Sequence, residues 1–200
     1  MGTGTQADDL SYSRRTTADR GGLHVSRIST VSVLMTLALT AGVAAAEPAR
    51  TLKVTQSVDI AAPVDKVWDA IKNFDSLDKW HPGFASDQIV KGSNNQVGAV
   101  RKLTVKDGPS FEEELLAFDE SAHSYRYRII ESPLPLRDYV SRITVKPGAK
   151  GGSHVTWTGS FKRKSTSDNP PEGENDAAAL KLINSVYQGG LSNLKKMLGS

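Results

Sequence analysis

The sequence predicts an α+β domain in which a curved antiparallel sheet of about seven strands wraps a long C-terminal helix, with two short helices after the first strand. Three observations predict it. Residues 51–60 alternate apolar and polar; six further alternating segments, parted by turn residues, follow between 87 and 164; and residues 176–198 carry an apolar stripe at helical spacing. A period of two marks a half-buried strand, and regular spacing with short turns makes a meander of hairpins. No strand–helix alternation is present, so a doubly wound sheet is not expected.

In the first strand Leu52, Val54, Val58 and Ile60 share a face. Pro63 suits a first helical position, and Val64, Val67, Trp68 and Ile71 follow at helical spacing, predicting an amphipathic helix to about Asn73. Residues 75–82 predict a second short helix, capped by Asp75 and stopped by Pro82. Strands are expected at roughly 87–91, 97–106, 111–119, 124–132, 138–147 and 153–164. The run Lys162-Arg163-Lys164 closes the last of them and reads as a solvated edge. A polar loop, 165–175, leads to the final helix with its stripe of Ala179, Ile183, Val186, Gly190, Leu194 and Met197.

Residues 28–46 are free of charge, follow Arg20 and Arg27, and end in Ala44-Ala45-Ala46. That is the layout of a secretory signal. Cleavage near Ala46 would leave residues 47–200 as one ligand-binding domain in the periplasm or secreted. A stretch of this length is also just long enough for a membrane anchor, the competing expectation. Ser13-Arg14-Arg15 hints at a twin-arginine route. Residues 1–20 are polar and aperiodic, as an upstream start codon chosen in error would leave them.

The 200-residue chain has a formal charge of +3, and residues 1–46 hold four of its 25 Lys and Arg and three of its 22 Asp and Glu. The remainder is close to neutral and has no basic cluster with interleaved aromatics, which argues against nucleic acid as a partner. The absence of cysteine excludes disulfides, thiol catalysis and Cys-based metal sites. His81, His123 and His154 are scattered, so no metal and no cofactor is expected. His81, between Trp80 and Pro82, reads as a helix-end or rim residue.

Strand faces carry the functional argument. If Asp107-Gly108 is a two-residue turn, Arg101 opposes Glu114, and Val97, Ala99, Arg101, Leu103 and Val105 face Glu114, Leu116 and Phe118. The same face continues to Tyr125, Tyr127 and Ile129. The Gly-rich turn near 150 sets Ile143 by Trp157, Ser141 by Gly159 and Tyr139 by Phe161. Apolar walls with a few convergent polar groups suit a ligand cavity better than a sealed core. Arg101 and Glu114 also read as a structural cross-strand pair. The expected lining is Trp80, Arg101, Leu103, Glu114, Leu116, Phe118, Tyr125, Tyr127, Ile129, Tyr139, Ser141, Ile143 and Trp157. From the helix, Ile183, Tyr187 and Gly190 complete it, with Gly190 leaving room beneath the helix and Tyr187 at the entrance beside loop 133–138.

The segments IAAPVDKVWDAIKNFDSLDKWHP (60–82), GAVRKL (98–103), EELLAFDE (113–120), YRYRIIESPLPLRDY (125–139) and VTWTGSF (155–161) resemble the polyketide cyclase/dehydrase and lipid-transport superfamily, also called SRPBCC or START-like. The likeness covers nearly all of 51–198, and the Ser-Pro-Leu-Pro element is similar to the exported MxaD-like branch found near methanol-oxidation genes. The resemblance implies the helix-grip fold and a cavity between sheet and C-terminal helix. It does not imply chemistry, since carriers, receptors and cyclases share the fold.

Three functions follow as expectations. The first is an exported protein that binds or transports a small hydrophobic ligand, accessory to a periplasmic oxidation system. It would have a periplasmic protein partner and no more than transient membrane contact. The second is a cyclase/dehydrase-type enzyme with Arg101, Glu114 and Tyr127 as acid/base and positioning groups. The third is a protein-interaction module without a small ligand.

Overall fold

The computed structural model describes residues 49–199; the expected signal segment lies outside them. Strand β1 (Leu52–Ile60) leads through Pro63 into helices α1 (Val64–Ile71) and α2 (Leu77–Trp80). A meander follows: β2 (Phe84–Lys91), β3 (Val100–Val105), β4 (Ser110–Asp119), β5 (Ser124–Glu131), β6 (Leu136–Pro147) and β7 (Ser153–Arg163). Helix α3 (Asp176–Leu198) ends the described chain. All pairings are antiparallel, and the seven strands lie in the order β1-β7-β6-β5-β4-β3-β2. The chain thus adopts the helix-grip arrangement that its sequence predicts.

Helix α3 packs on β1 and β7. Its buried residues are Ala179, Ile183, Tyr187, Gly190, Leu191 and Leu194, while Met197 is exposed. Asn175 caps its first turn by accepting from the Ala178 N–H at 2.8 Å. Arg163 is buried rather than solvated. It reaches Asp176 at the start of α3 and the carbonyls of Ser165 and Ser167, tying the incoming loop to the sheet.

Helix α1 buries Val67, Trp68 and Ile71 but stops at Ile71 rather than Asn73. The expected cap of α2, Asp75, plays no such part. The Leu77 N–H at its start donates to Asp87 on β2 at 2.9 Å, so the cap comes from another element.

Two irregularities decide which side chains face α3. The β3–β4 turn holds three residues, Lys106 to Gly108: the Val105 N–H donates to Pro109 O at 3.0 Å, and Asp107 takes a φ of +56°. Arg101 therefore pairs with Glu113 and Val100 with Glu114. A one-residue change of register moves a whole strand segment to the other face. A bulge between Leu115 and Ala117 then restores the expected phase, so Phe118 opposes Tyr125. Across β6 and β7 the expected pairs Ile143–Trp157 and Ser141–Gly159 are present. A further bulge, between Arg137 and Val140, leaves the Tyr139 and Phe161 rings 6.2 Å apart.

Candidate functional site

The space between sheet and α3 divides into a filled end and a hollow one. At the filled end Trp68 packs near Phe118 and Tyr125, and Phe74 near Tyr125 and Tyr127, with ring centroids 5.7–6.2 Å apart. At the other end lies a partly enclosed cavity of about 310 Å³. Leu77, His81 and Phe84 wall one side of it; Val105, Pro109 and Phe111 come from the β3–β4 hairpin. Leu134 closes over it from the loop before β6, and Leu182, Ile183 and Val186 from α3. Its floor is Tyr127, Tyr139, Trp157 and Glu113.

Glu113 reaches the cavity through a buried charge cluster. Arg101 is 1% exposed. Its Nε and Nη2 donate to Glu113 Oε2 at 2.9 and 2.6 Å; its Nη1 donates to Phe74 O at 2.6 Å and to Asp87 Oδ2 at 3.1 Å. The guanidinium also stacks on the Phe74 ring, 4.2 Å from its centroid. One cation thus serves two carboxylates. Burial raises Glu113 to about 7 and Asp87 to about 6, in each case outweighing the attraction of Arg101. For Arg101 burial opposes the charge, but Glu113 and Asp87 outweigh it and hold the guanidinium charged.

The hydroxyl network beside it can be assigned proton by proton. Ser141 Oγ spends its one hydrogen on Thr158 O at 2.8 Å, so it must accept from Tyr187 Oη at 2.9 Å. Tyr187 then accepts from Tyr139 Oη at 2.7 Å. Trp157 Nε1 donates to Tyr127 Oη at 2.9 Å and to Ser141 Oγ at 3.0 Å. Tyr127 accepts in this scheme; Ser141 also bears on its hydroxyl, but with its lone pairs taken by Tyr187 and Trp157 it leaves the Tyr127 proton without a full acceptor among the described residues. Burial pushes the phenols of Tyr127, Tyr139 and Tyr187 upward, so all three remain protonated. Glu113 resembles Tyr127 in this respect: Oε2 holds Arg101, while Oε1 has no hydrogen-bond partner among the described residues.

His81 joins α2 to α3. Its Nδ1 accepts from the Gly83 N–H at 3.0 Å, which leaves Nε2–H to donate to Val186 O at 2.8 Å. Burial lowers its pKa and keeps it neutral. Gly190 permits this approach, since a Cβ there would stand 2.5 Å from His81 Cδ2 and 2.9 Å from Trp157 Cζ3. Among the described residues no group of three His, Asp or Glu is placed to hold a metal ion.

Of the residues expected to line a cavity, Tyr127, Tyr139, Trp157 and Ile183 do so. Glu114 does not. It pairs with Arg128 on the outer face at 2.6 Å, and Glu113 takes its place inside. The supposed constellation of Arg101, Glu114 and Tyr127 is therefore not assembled. Leu116 sits at the bulge rather than on the wall. Leu103, Tyr125 and Ile143 belong to the packed core, Phe118 and Ile129 pack half-buried against it, and none of the five lines the hollow end.

Trp80 is buried between His81 and Trp157. Arg101 and Ser141 stand behind the wall as partners of Glu113, Trp157 and Tyr187. Tyr187 is fully buried, stacked on Trp157 at 4.4 Å, and so is no entrance residue. Gly190 leaves no room beneath α3, because two indoles and an imidazole already fill it. The sequence patterns do not mark Phe84, Phe111 and Glu113 as wall residues, and they place His81 only at a helix end or rim. The pair Phe84/Phe111 carried an apolar signal; the places of Glu113 and His81 depend on register and on helix contact.

The model of a family described as polyketide cyclase/dehydrase and lipid transport matches residues 51–199. The abscisic acid receptor PYL10 of Arabidopsis thaliana is 29% identical over 138 residues, 68% of this chain and 73% of the receptor. The solved structure of XoxI from Bacillus cereus is 31% identical with a TM-score of 0.63, covering 73% of this chain and 94% of that one. An uncharacterized protein from Bacillus thuringiensis is 30% identical with a TM-score of 0.64, covering 73% and 98%. These likenesses support the SRPBCC superfamily and its MxaD-like branch.

Proposed function

We propose, from the premise that the chain belongs to the polyketide cyclase/dehydrase and lipid transport family, that it is an exported protein that binds and carries a small, mostly apolar molecule. The observation that carries this reading is the cavity of about 310 Å³, walled by aliphatic and aromatic side chains and floored by a few polar groups. Such a composition suits a ligand that is largely apolar with one polar end. The similarity to a protein named as a receptor for a small organic acid supports small-molecule binding and leaves the ligand of this chain open. Export rests on the charge-free run 28–46 and its Ala-rich end. An exported carrier of this kind would serve a periplasmic enzyme system as an accessory.

The test is native mass spectrometry of protein purified from its own host, beside titration with N-phenyl-1-naphthylamine, a neutral fluorescent probe. A bound small molecule that organic extraction removes, together with probe binding to the extracted protein, is the expected result. Protein that carries nothing and does not bind the probe would overturn the reading.

A further inference from the structure

Resting on that reading, we infer that the polar end of the ligand is a hydroxyl, which donates to Glu113 Oε1 and accepts from the Tyr127 O–H, and that the cavity discriminates against carboxylates. Both protein groups belong to the cavity floor. Glu113 is 4% exposed, its Oε2 is occupied by Arg101, and its Oε1 has no partner among the described residues. Tyr127 is 1% exposed and has a proton with no acceptor once Trp157, Ser141, Tyr139 and Tyr187 have satisfied one another. Buried polar groups left in this state cost free energy until a partner arrives. One donor and one acceptor on the same cavity floor are met by a group that both accepts and donates, as an alcohol or phenol does.

Charge balance excludes the carboxylate. Arg101 already stands between two carboxylates, Glu113 and Asp87, and Asp87 Oδ1 is itself buried without a partner. A third carboxylate would enter a site with excess negative charge and no free cation on its wall. An ammonium ion would satisfy Glu113, but it offers no acceptor to Tyr127.

The experiment compares three probes of one shape by calorimetric titration at pH 8: naphthalene, neutral 2-naphthol and anionic 2-naphthoate. The wild-type protein should bind 2-naphthol about tenfold more tightly than 2-naphthoate and about fivefold more tightly than naphthalene, one net hydrogen bond being worth roughly that factor. Tyr127→Phe should cut the preference for 2-naphthol over naphthalene to about twofold, the remainder being the bond to Glu113. Glu113→Gln, which leaves Arg101 paired one-to-one with Asp87, should shrink the naphthol-to-naphthoate ratio to about threefold or less. If naphthalene binds and 2-naphthoate equals or exceeds 2-naphthol in the wild type, this inference falls while the carrier reading stands. If none of the three binds, the inference falls; the carrier reading falls with it only when the protein also carries nothing and does not bind N-phenyl-1-naphthylamine.

Discussion

Gly189 and Gly190 adjoin in the middle of α3, yet alanine at the two positions should act with opposite sign. In a helix interior each glycine costs about 1 kcal/mol relative to alanine, so both substitutions begin with the same gain. At Gly189 the added methyl would meet nothing nearer than His81 Cε1 at 4.0 Å, an ordinary contact. Gly189→Ala should therefore stabilise by about 0.5–1 kcal/mol, which for a domain of this size raises Tm by roughly 1–4 °C. At Gly190 the methyl would lie 2.5 Å from His81 Cδ2, 2.9 Å from Trp157 Cζ3 and 3.1 Å from Trp80 Cζ3. Carbon atoms prefer about 3.5–4.0 Å. All three rings are buried, so none can swing into solvent. Overpacking of this kind costs about 1–3 kcal/mol, and displacing His81 from Val186 O adds about 1 kcal/mol. Gly190→Ala should thus destabilise by about 1–3 kcal/mol net of the helix gain. Urea unfolding at one pH, with Tm by calorimetry, measures both variants. A Gly190→Ala protein at least as stable as the wild type would refute the packing assigned to His81 and the two indoles, and so would equal effects at the two positions.

Arg101→Leu leaves Glu113 and Asp87 buried without a cation and should cost about 3–5 kcal/mol in urea unfolding; a cost below about 1 kcal/mol would show that the cluster is hydrated. Stability should fall as pH rises from about 4 to 7, because Glu113, raised from 4.5 to about 7, and Asp87, raised from 3.8 to about 6, hold protons in the folded state that the unfolded chain has released. The fall should reach at least about 1 kcal/mol and be visibly reduced in Glu113→Gln, one pKa unit being about 1.4 kcal/mol; equal pH profiles for the two proteins would contradict the assignment. Tyr187→Phe keeps the stack on Trp157 but removes the acceptor of Tyr139 and the donor to Ser141, so unfolding measurements should show a loss of about 1–3 kcal/mol. Gly159→Ala should also destabilise, since its Cβ would fall on the Tyr187 hydroxyl.

Alternation in 51–60 and 138–164, the helical stripe of 176–198 and the order of elements were legible from the sequence because they depend on periodicity alone. The pairs Ile143–Trp157 and Ser141–Gly159 were equally legible, since the turn near 150 tolerates only one phase that keeps both apolar faces inward. What tertiary structure decided was phase and depth. One residue more in the turn at Asp107 put Glu113 inside and Glu114 outside, and the bulge at Leu116 hid that change from anyone counting on to Phe118. Alternation cannot reveal this, because a period of two carries no information about where a single residue is inserted. Nor can it say how far along the sheet a side chain lies. Tyr125 and Tyr127 share a face, yet of the two only Tyr127 reaches the cavity; the hollow begins where Trp68 and Phe74 stop filling the grip. His81 and Gly190 meet across 109 positions of sequence for the same reason: contact between helices is set by the sheet that holds them apart, and no local pattern in either helix encodes it.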